Sequence, residues 1–166
     1  MKTKPLLLLV FSFFLFVSCS QFEAVYKINN LLKNNTKTNI VGDLSQEANS
    51  YLISLLGKEI SEPKYELFLT SKKTKKKLVI STGSVATKYR TTININYNVY
   101  DKVLKCRVYS SEITTSNDFD SRSEGYSFGS DAGEKNSELN NLRGNIDSFL
   151  SEMSRYINDL SCIDEG

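Results

Sequence analysis

From Tyr89 to Tyr100, the side chains Tyr89, Ile93, Ile95, Tyr97 and Val99 alternate with Arg90, Thr92, Asn94, Asn96 and Asn98. Successive side chains of a strand point to opposite faces, so a period of two demands a β-strand with one buried face and one wet face. Such a strand needs partners beside it and an apolar layer over one side only. Asp101-Lys102 supplies a tight turn, and the run that follows places Leu104, Cys106 and Val108 on one face and Lys105, Arg107 and Tyr109 on the other. Strand signals also run from Lys64 to about Ser81, with a turn around Thr82-Gly83-Ser84, so these segments form an antiparallel meander. A further short strand is expected near Thr38 to Val41.

The cover for the apolar face comes from two helices. Asp43 and Gln46 make a capping-box pattern, after which Leu44, Ala48, Tyr51, Leu52, Leu55 and Leu56 recur at helical spacing until Gly57. Residues 114–130 (TTSNDFDSRSEGYSFGS) read as a polar loop outside the core. Asp131 and Glu134 then open a last helix, in which Leu139, Leu142, Ile146, Phe149, Met153, Ile157 and Leu160 keep one stripe toward a partner surface. At about 1.5 Å per residue such a helix reaches roughly 45 Å, enough to lie across a sheet. The expected fold is α+β, with an antiparallel sheet of about four strands, two helices on one face and the order β-α-β-β-β-α. The opposite face should carry Arg90, Asn94, Asn96, Asn98, Lys105 and Arg107, too polar for a second core and open to binding.

The N-terminus has a different character. Lys2 and Lys4 precede an apolar run from Leu6 to Val17, and residues 1–18 hold no acid, which is the layout of an export signal. The run is shorter than the roughly 20 residues that span a bilayer. It ends in Phe16-Val17-Ser18-Cys19, which resembles the bacterial lipobox, although Phe16 replaces the usual Leu. Cleavage before Cys19 makes it the lipid-bearing first residue, carrying diacylglycerol and an N-acyl chain and anchoring the protein to a membrane. Residues 19–37 read as a tether, 38–162 as one domain and 163–166 as a tail. Cys106 and Cys162 remain in a compartment where a disulfide can form. The reading favoured over it takes Cys106 as a small buried residue and Cys162 as part of the tail, because spacing alone does not pair cysteines.

Without Lys2 and Lys4 the formal net charge falls from +2 to zero, but its distribution is uneven. From Lys72 to Arg107 the basic residues face the single acid Asp101, whereas the last third is acidic. Lys72, Lys73, Lys75, Lys76 and Lys77 have two readings: a solvated hairpin tip or bulge that discourages edge pairing, or an anion site completed by Lys88, Arg90, Lys105 and Arg107 that attracts phosphates of lipid A or anionic lipids. Nucleic acid is not an expected partner of an exported protein.

Gly125-Tyr126-Ser127-Phe128-Gly129 matches the G-x-S-x-G pattern of a nucleophile elbow, but the chain contains no histidine to take the serine proton. The match is read as chance. Histidine-based metal sites are excluded for the same reason, and no catalytic residues, metal or cofactor beyond the lipid are expected.

The lipobox cysteine, the short strand and helix, Gly83-Ser84-Val85-Ala86-Thr87-Lys88-Tyr89-Arg90 leading to Tyr97-Asn98-Val99-Tyr100-Asp101, and Tyr126-Ser127-Phe128 before a long helix together resemble the LPS-assembly lipoprotein family LptE over roughly Thr38 to Leu160. The resemblance implies an outer-membrane protein that plugs the β-barrel LptD and takes part in lipopolysaccharide delivery, without catalytic residues. Ser20 lacks the aspartate that retains lipoproteins in the inner membrane, and Arg143 stands where the family usually has a small residue. The alternatives are a periplasm-facing module that binds anionic headgroups and a lipoprotein hydrolase using Ser127.

Overall fold

The structure, a computed structural model, describes residues 31–58, 61–78, 86–122, 127–156 and 160–163. Residues 1–18 read as an export signal, Cys19, residues 82–84 read as a turn, Ile157 and residues 164–166 lie outside the described residues. In chain order the elements are β1 (Thr36–Gly42), α1 (Ser45–Leu56), β2 (Tyr65–Leu78), β3 (Ala86–Asp101), β4 (Cys106–Arg122) and α2 (Ser127–Tyr156). This is the expected β-α-β-β-β-α order.

The strands form one sheet in the order β1-β2-β3-β4. Both β2–β3 and β3–β4 pairs are antiparallel, whereas β1 runs parallel to β2, so the sheet is mixed. The parallel pair follows from α1, since a helical crossover returns the chain to the end from which β1 started. Both helices pack on one face. Leu67, Leu69, Ile93, Ile95, Tyr97 and Val99 of the sheet meet Ala48, Leu52 and Leu56 of α1 and Leu142, Ile146, Phe149 and Met153 of α2. Each of the larger aliphatic side chains contributes about 1.5–3 kcal/mol by leaving water. Phe149 stacks on Tyr97 with ring centroids 4.2 Å apart.

Several boundaries differ from those read in the sequence. The folded domain starts before residue 38: Leu32 is completely buried, Tyr65 donates its N–H to the Asn35 carbonyl, and β1 begins at Thr36. The stretch ending in Lys37 looked like tether because its polar side chains hide the pairing made by its backbone. Asp43 does not cap α1; its Oδ2 accepts from the Lys73 N–H at 2.8 Å, and a left-handed Leu44 precedes the helix with no side-chain cap. Gly42, at φ 105°, ends β1 where a Cβ would collide with the Ser71 carbonyl.

The largest revision concerns residues 114–130. β4 continues to Arg122 and α2 already opens at Ser127, so Asp131 and Glu134 lie inside that helix. Cross-strand pairs hold this polar strand: Thr92 with Ser116 at 2.8 Å, Arg90 with Asp118, and stacked rings of Tyr89 and Phe119. At the other end of β4 a bulge changes the phase. Val99 pairs with Tyr109 and Tyr100 with Arg107, leaving Val108 as the extra residue. Tyr109 therefore points into the core rather than outward with Arg107, and Leu104 sits exposed in the turn.

Cys106 and Cys162 are joined by a disulfide, with Cα atoms 5.5 Å apart. The chain beyond α2 folds back on the start of β4, where Ile163 donates its N–H to the Arg107 carbonyl. Such pairing of residues 56 positions apart arises from tertiary return and leaves no trace in local spacing.

Candidate docking face and basic ridge

No described element covers the sheet face opposite the helices. Register sets its rows: Asn39, Phe68, Asn98 and Ser110 form one, Val41, Thr70, Asn96 and Glu112 the next, followed by Lys72, Asn94 and Thr114. As expected, Arg90, Asn94, Asn96 and Asn98 lie here, on the side away from Ile93, Ile95, Tyr97 and Val99. The amides are held in a lattice. Asn94 Nδ2 donates to Glu112 Oε1 at 2.6 Å and Thr114 Oγ1 at 2.8 Å, Asn98 Nδ2 donates to Asn96 Oδ1, and Ser110 donates to Asn98 Oδ1. Val41 and Phe68 stand exposed at the β1 side of this surface. Chemically the face offers donors and acceptors already oriented for a polar partner surface.

The lysine run is neither a hairpin tip nor one cluster. It lies within β2, and β1 reaches only as far as Ser71, so Lys72 to Leu78 form a free edge on that side among the described residues. Strand alternation splits the cations. Lys73 and Lys75 turn to the helices, where Lys73 Nζ meets Glu138 Oε1 at 2.8 Å and Lys75 Nζ meets Glu134 Oε1 at 2.6 Å. Lys75 also lies over the rings of Tyr89 and Phe119. By register Lys77 shares that side, exposed opposite Tyr89.

Lys72 and Lys76 take the open face instead, Lys76 beside Arg90 and near Lys88. Asp118 balances this end: Arg90 binds it through Nε at 2.7 Å and Nη2 at 3.1 Å, and Lys88 lies 3.5 Å away. The hydrogen bond from Arg90 holds the Asp118 carboxyl below its ordinary pKa. Lys105 and Arg107 do not join this group. Arg107 pairs with Tyr100, ten strand residues from Arg90 and so about 34 Å away, and Lys105 lies in the adjoining turn.

Two residues that matter were not singled out in the sequence. Asn141 and Asn145 of α2 are buried and donate to backbone carbonyls of β3 and β4. Their signal was a pair of amides four apart on the same face as Leu142, Ile146 and Phe149. Between α1 and α2 a cleft is lined by Gln46, Ser50, Tyr51, Leu142 and Arg143. Tyr51 donates to Asp147 Oδ1 at 2.9 Å, and burial, reinforced by that hydrogen bond, pushes its phenol pKa up. Arg143 is exposed and lies over the Tyr51 ring, so it adds a contact between the helices without disturbing the buried stripe. Ser127 sits at the start of α2, while Gly125 and Tyr126 lie outside the described residues. Among the described residues no group of acidic or cysteine side chains could hold a metal, and no helix is long and apolar enough to cross a membrane.

The class this fold defines is visible in solved structures. A candidate lipoprotein from Caulobacter crescentus CB15 superimposes with a TM-score of 0.60 at 11% identity, covering 82% of this chain and 99% of its own. The rare lipoprotein B of Shewanella oneidensis superimposes with a TM-score of 0.55 at 14% identity, covering 75% of this chain and 97% of its own. This chain therefore shares the α+β fold of these two proteins. No protein-family model matches it, and no curated protein matches it in sequence.

Proposed function

We propose that this protein is an outer-membrane lipoprotein of the LptE kind, anchored through Cys19 and docked in the lumen of an LptD-like β-barrel during lipopolysaccharide transport. The carrying observation is the uncovered sheet face, whose lattice of Asn94, Asn96, Asn98, Ser110 and Thr114 suits a polar barrel interior. The shared fold with rare lipoprotein B and the lipobox at Cys19 support the same reading. The role is structural, with no catalytic residue and no cofactor besides the covalent lipid, and it involves no nucleic acid.

A photo-crosslinker at Asn96 tests this. Purification from detergent-solubilised outer membranes should yield a covalent adduct with a large β-barrel, whereas a crosslinker at Asp147, exposed on α2, should give much less. Recovery of monomer alone from the Asn96 variant would overturn the proposal.

A second reading is favoured by Lys76, Lys88 and Arg90 grouped at one end of the same face, with Lys72 on the row of Asn94. There the protein binds the phosphates of lipid A or an anionic headgroup. It is compatible with the first, because the ridge and the amide lattice occupy successive parts of one surface.

A further inference from the structure

The sheet has a defined end where the described chain begins. One row joins Thr36, Tyr65, Asp101 and Cys106, and beyond it the Lys64 N–H binds Asn35 Oδ1 while Lys102 donates its N–H to the Lys64 carbonyl. The chain enters the domain here, where Leu32 is buried and Asn34 donates to the Leu56 carbonyl. The β3–β4 turn projects from the same end. Its tip carries Val103 at 72% and Leu104 at 50% exposure, set between exposed Lys102 and Lys105. Ile163, 39% exposed, is held alongside by its bond to Arg107. Asp101 fixes the turn by accepting from the Val103 and Leu104 N–H groups through Oδ1.

Exposed branched aliphatics flanked by lysines match a bilayer interface, where apolar side chains enter the acyl boundary and ammonium groups stay among the headgroups. Lys102 Nζ lies 3.3 Å from Glu66 Oε1, so Lys105 is the cation better placed to reach outward. The occupant follows from chain length. Leu31 lies twelve positions after Cys19, so the two are at most about 42 Å apart. The 16-residue β3 alone spans about 54 Å. An anchored Cys19 therefore keeps the Val103 end near the membrane, whereas the end bearing Lys76 and Lys88 faces away from it unless the domain lies flat.

The geometry points to the β3–β4 turn as a second, non-covalent membrane contact, in which Val103 and Leu104 enter the interface of the phospholipid leaflet that holds the Cys19 lipid. This rests on the proposed acylation of Cys19. The contact sets the orientation of the anchored domain before it docks in a barrel, with its lysine ridge presented away from the leaflet.

The chain contains no tryptophan, so Leu104→Trp installs a sole indole at an exposed turn, with Val103→Trp as an independent second reporter. The acylated protein is reconstituted in vesicles of phosphatidylethanolamine with one quarter phosphatidylglycerol, floated, and examined with brominated acyl chains. Both reporters should shift to shorter emission wavelength and be quenched at least about twofold more than Leu78→Trp at the far end, as expected of side chains below the headgroups. Flotation with unquenched indoles at 103 and 104 would overturn the turn contact and leave the anchor standing. A blue shift without quenching by the brominated chains, seen only when a barrel co-purifies, would likewise overturn it, assigning the tip to protein. Failure to float would remove the acylated Cys19 and the membrane contact together.

Discussion

Tyr97 of β3 donates its hydroxyl to Asn145 Oδ1 of α2 at 2.8 Å, and both side chains are completely buried. The Asn145 amide then donates to the Ile113 carbonyl at 2.9 Å and the Ile93 carbonyl at 3.3 Å. Asn141, one turn earlier, donates to the carbonyls of Thr91 at 3.0 Å and Thr115 at 3.4 Å. Four helical residues advance about 6 Å and two strand residues about 6.8 Å. The two amides therefore meet equivalent sites two strand residues apart, so α2 follows the direction of β3. An apolar stripe alone tolerates sliding by a turn; buried amides do not, because misplaced ones lose their partners.

Asn145→Ala should consequently destabilise the fold by about 2–4 kcal/mol, since it strands the Tyr97 hydroxyl as well as removing helix-to-sheet bonds. Tyr97→Phe should cost about 1–2 kcal/mol by leaving Asn145 Oδ1 short of a donor. Urea denaturation of both single variants and the double variant measures the coupling, and the double should lose less than the sum. Strict additivity would contradict a shared network.

Burial also pushes the Tyr97 phenol well above its ordinary pKa of 10.0, with the Asp147 charge adding to the effect. The unfolded chain ionises near pH 10 while the folded one resists. Stability from this group is thus fully present below pH 10 and is lost as pH rises beyond it. Alkaline denaturation of Tyr97→Phe should show a shallower decline above pH 10 than the parent.

The disulfide offers a larger lever. Cys106 and Cys162 close a loop of 56 residues, and the chain-entropy relation gives about 4 kcal/mol for that length. Cys106→Ser with Cys162→Ser, or reduction of the parent, should lower the denaturation midpoint accordingly while preserving the far-ultraviolet circular dichroism. An unchanged midpoint after verified reduction would show that the bond constrains nothing the unfolded chain explores.

The alternation at Ile93 to Val99 and the stripe from Leu142 to Met153 were legible because burial imposes their periods directly. β4 beyond Ile113 was not, since Ser, Thr, Asn and Asp there resemble a loop; its strand character comes from cross-strand partners such as Arg90 and Thr92. Tyr109 was assigned to the wrong face because the bulge adds a residue and shifts the phase. The open amide face could be read because it is the complement of the core face. Splitting Lys73 and Lys75 from Lys72 and Lys76 instead required the register of β2 and the position of Glu134 and Glu138 on α2.

Acid should loosen the contact between the two helices. A hydrogen bond from Lys135 lowers the Glu47 carboxyl below its ordinary pKa of 4.5, and both side chains are at the surface. The contribution is present above the unfolded pKa and disappears as pH falls through the lower folded value. Because the pair is exposed, Glu47→Gln should cost under about 1 kcal/mol. Carboxyl NMR titration should place the Glu47 midpoint below 4.5, moving upward in Lys135→Met.

The lysine run should separate into two phenotypes. Lys73 faces Glu138, whose side chain is only 7% exposed, so Lys73→Met leaves a nearly buried carboxylate without its partner and should cost about 1–3 kcal/mol. Lys72 and Lys76 stand on the open face with exposed side chains, and Lys72→Gln with Lys76→Gln should change stability by no more than about 0.5 kcal/mol per site. If the ridge receives phosphate groups, the Lys72 and Lys76 variant should bind lipopolysaccharide more weakly at low salt, and Lys73→Met should bind normally under conditions where it is folded. Denaturation and binding measured on the same preparations keep the two effects apart. Weakened binding by Lys73→Met with no loss of stability would place Lys73 in the ligand site rather than against α2.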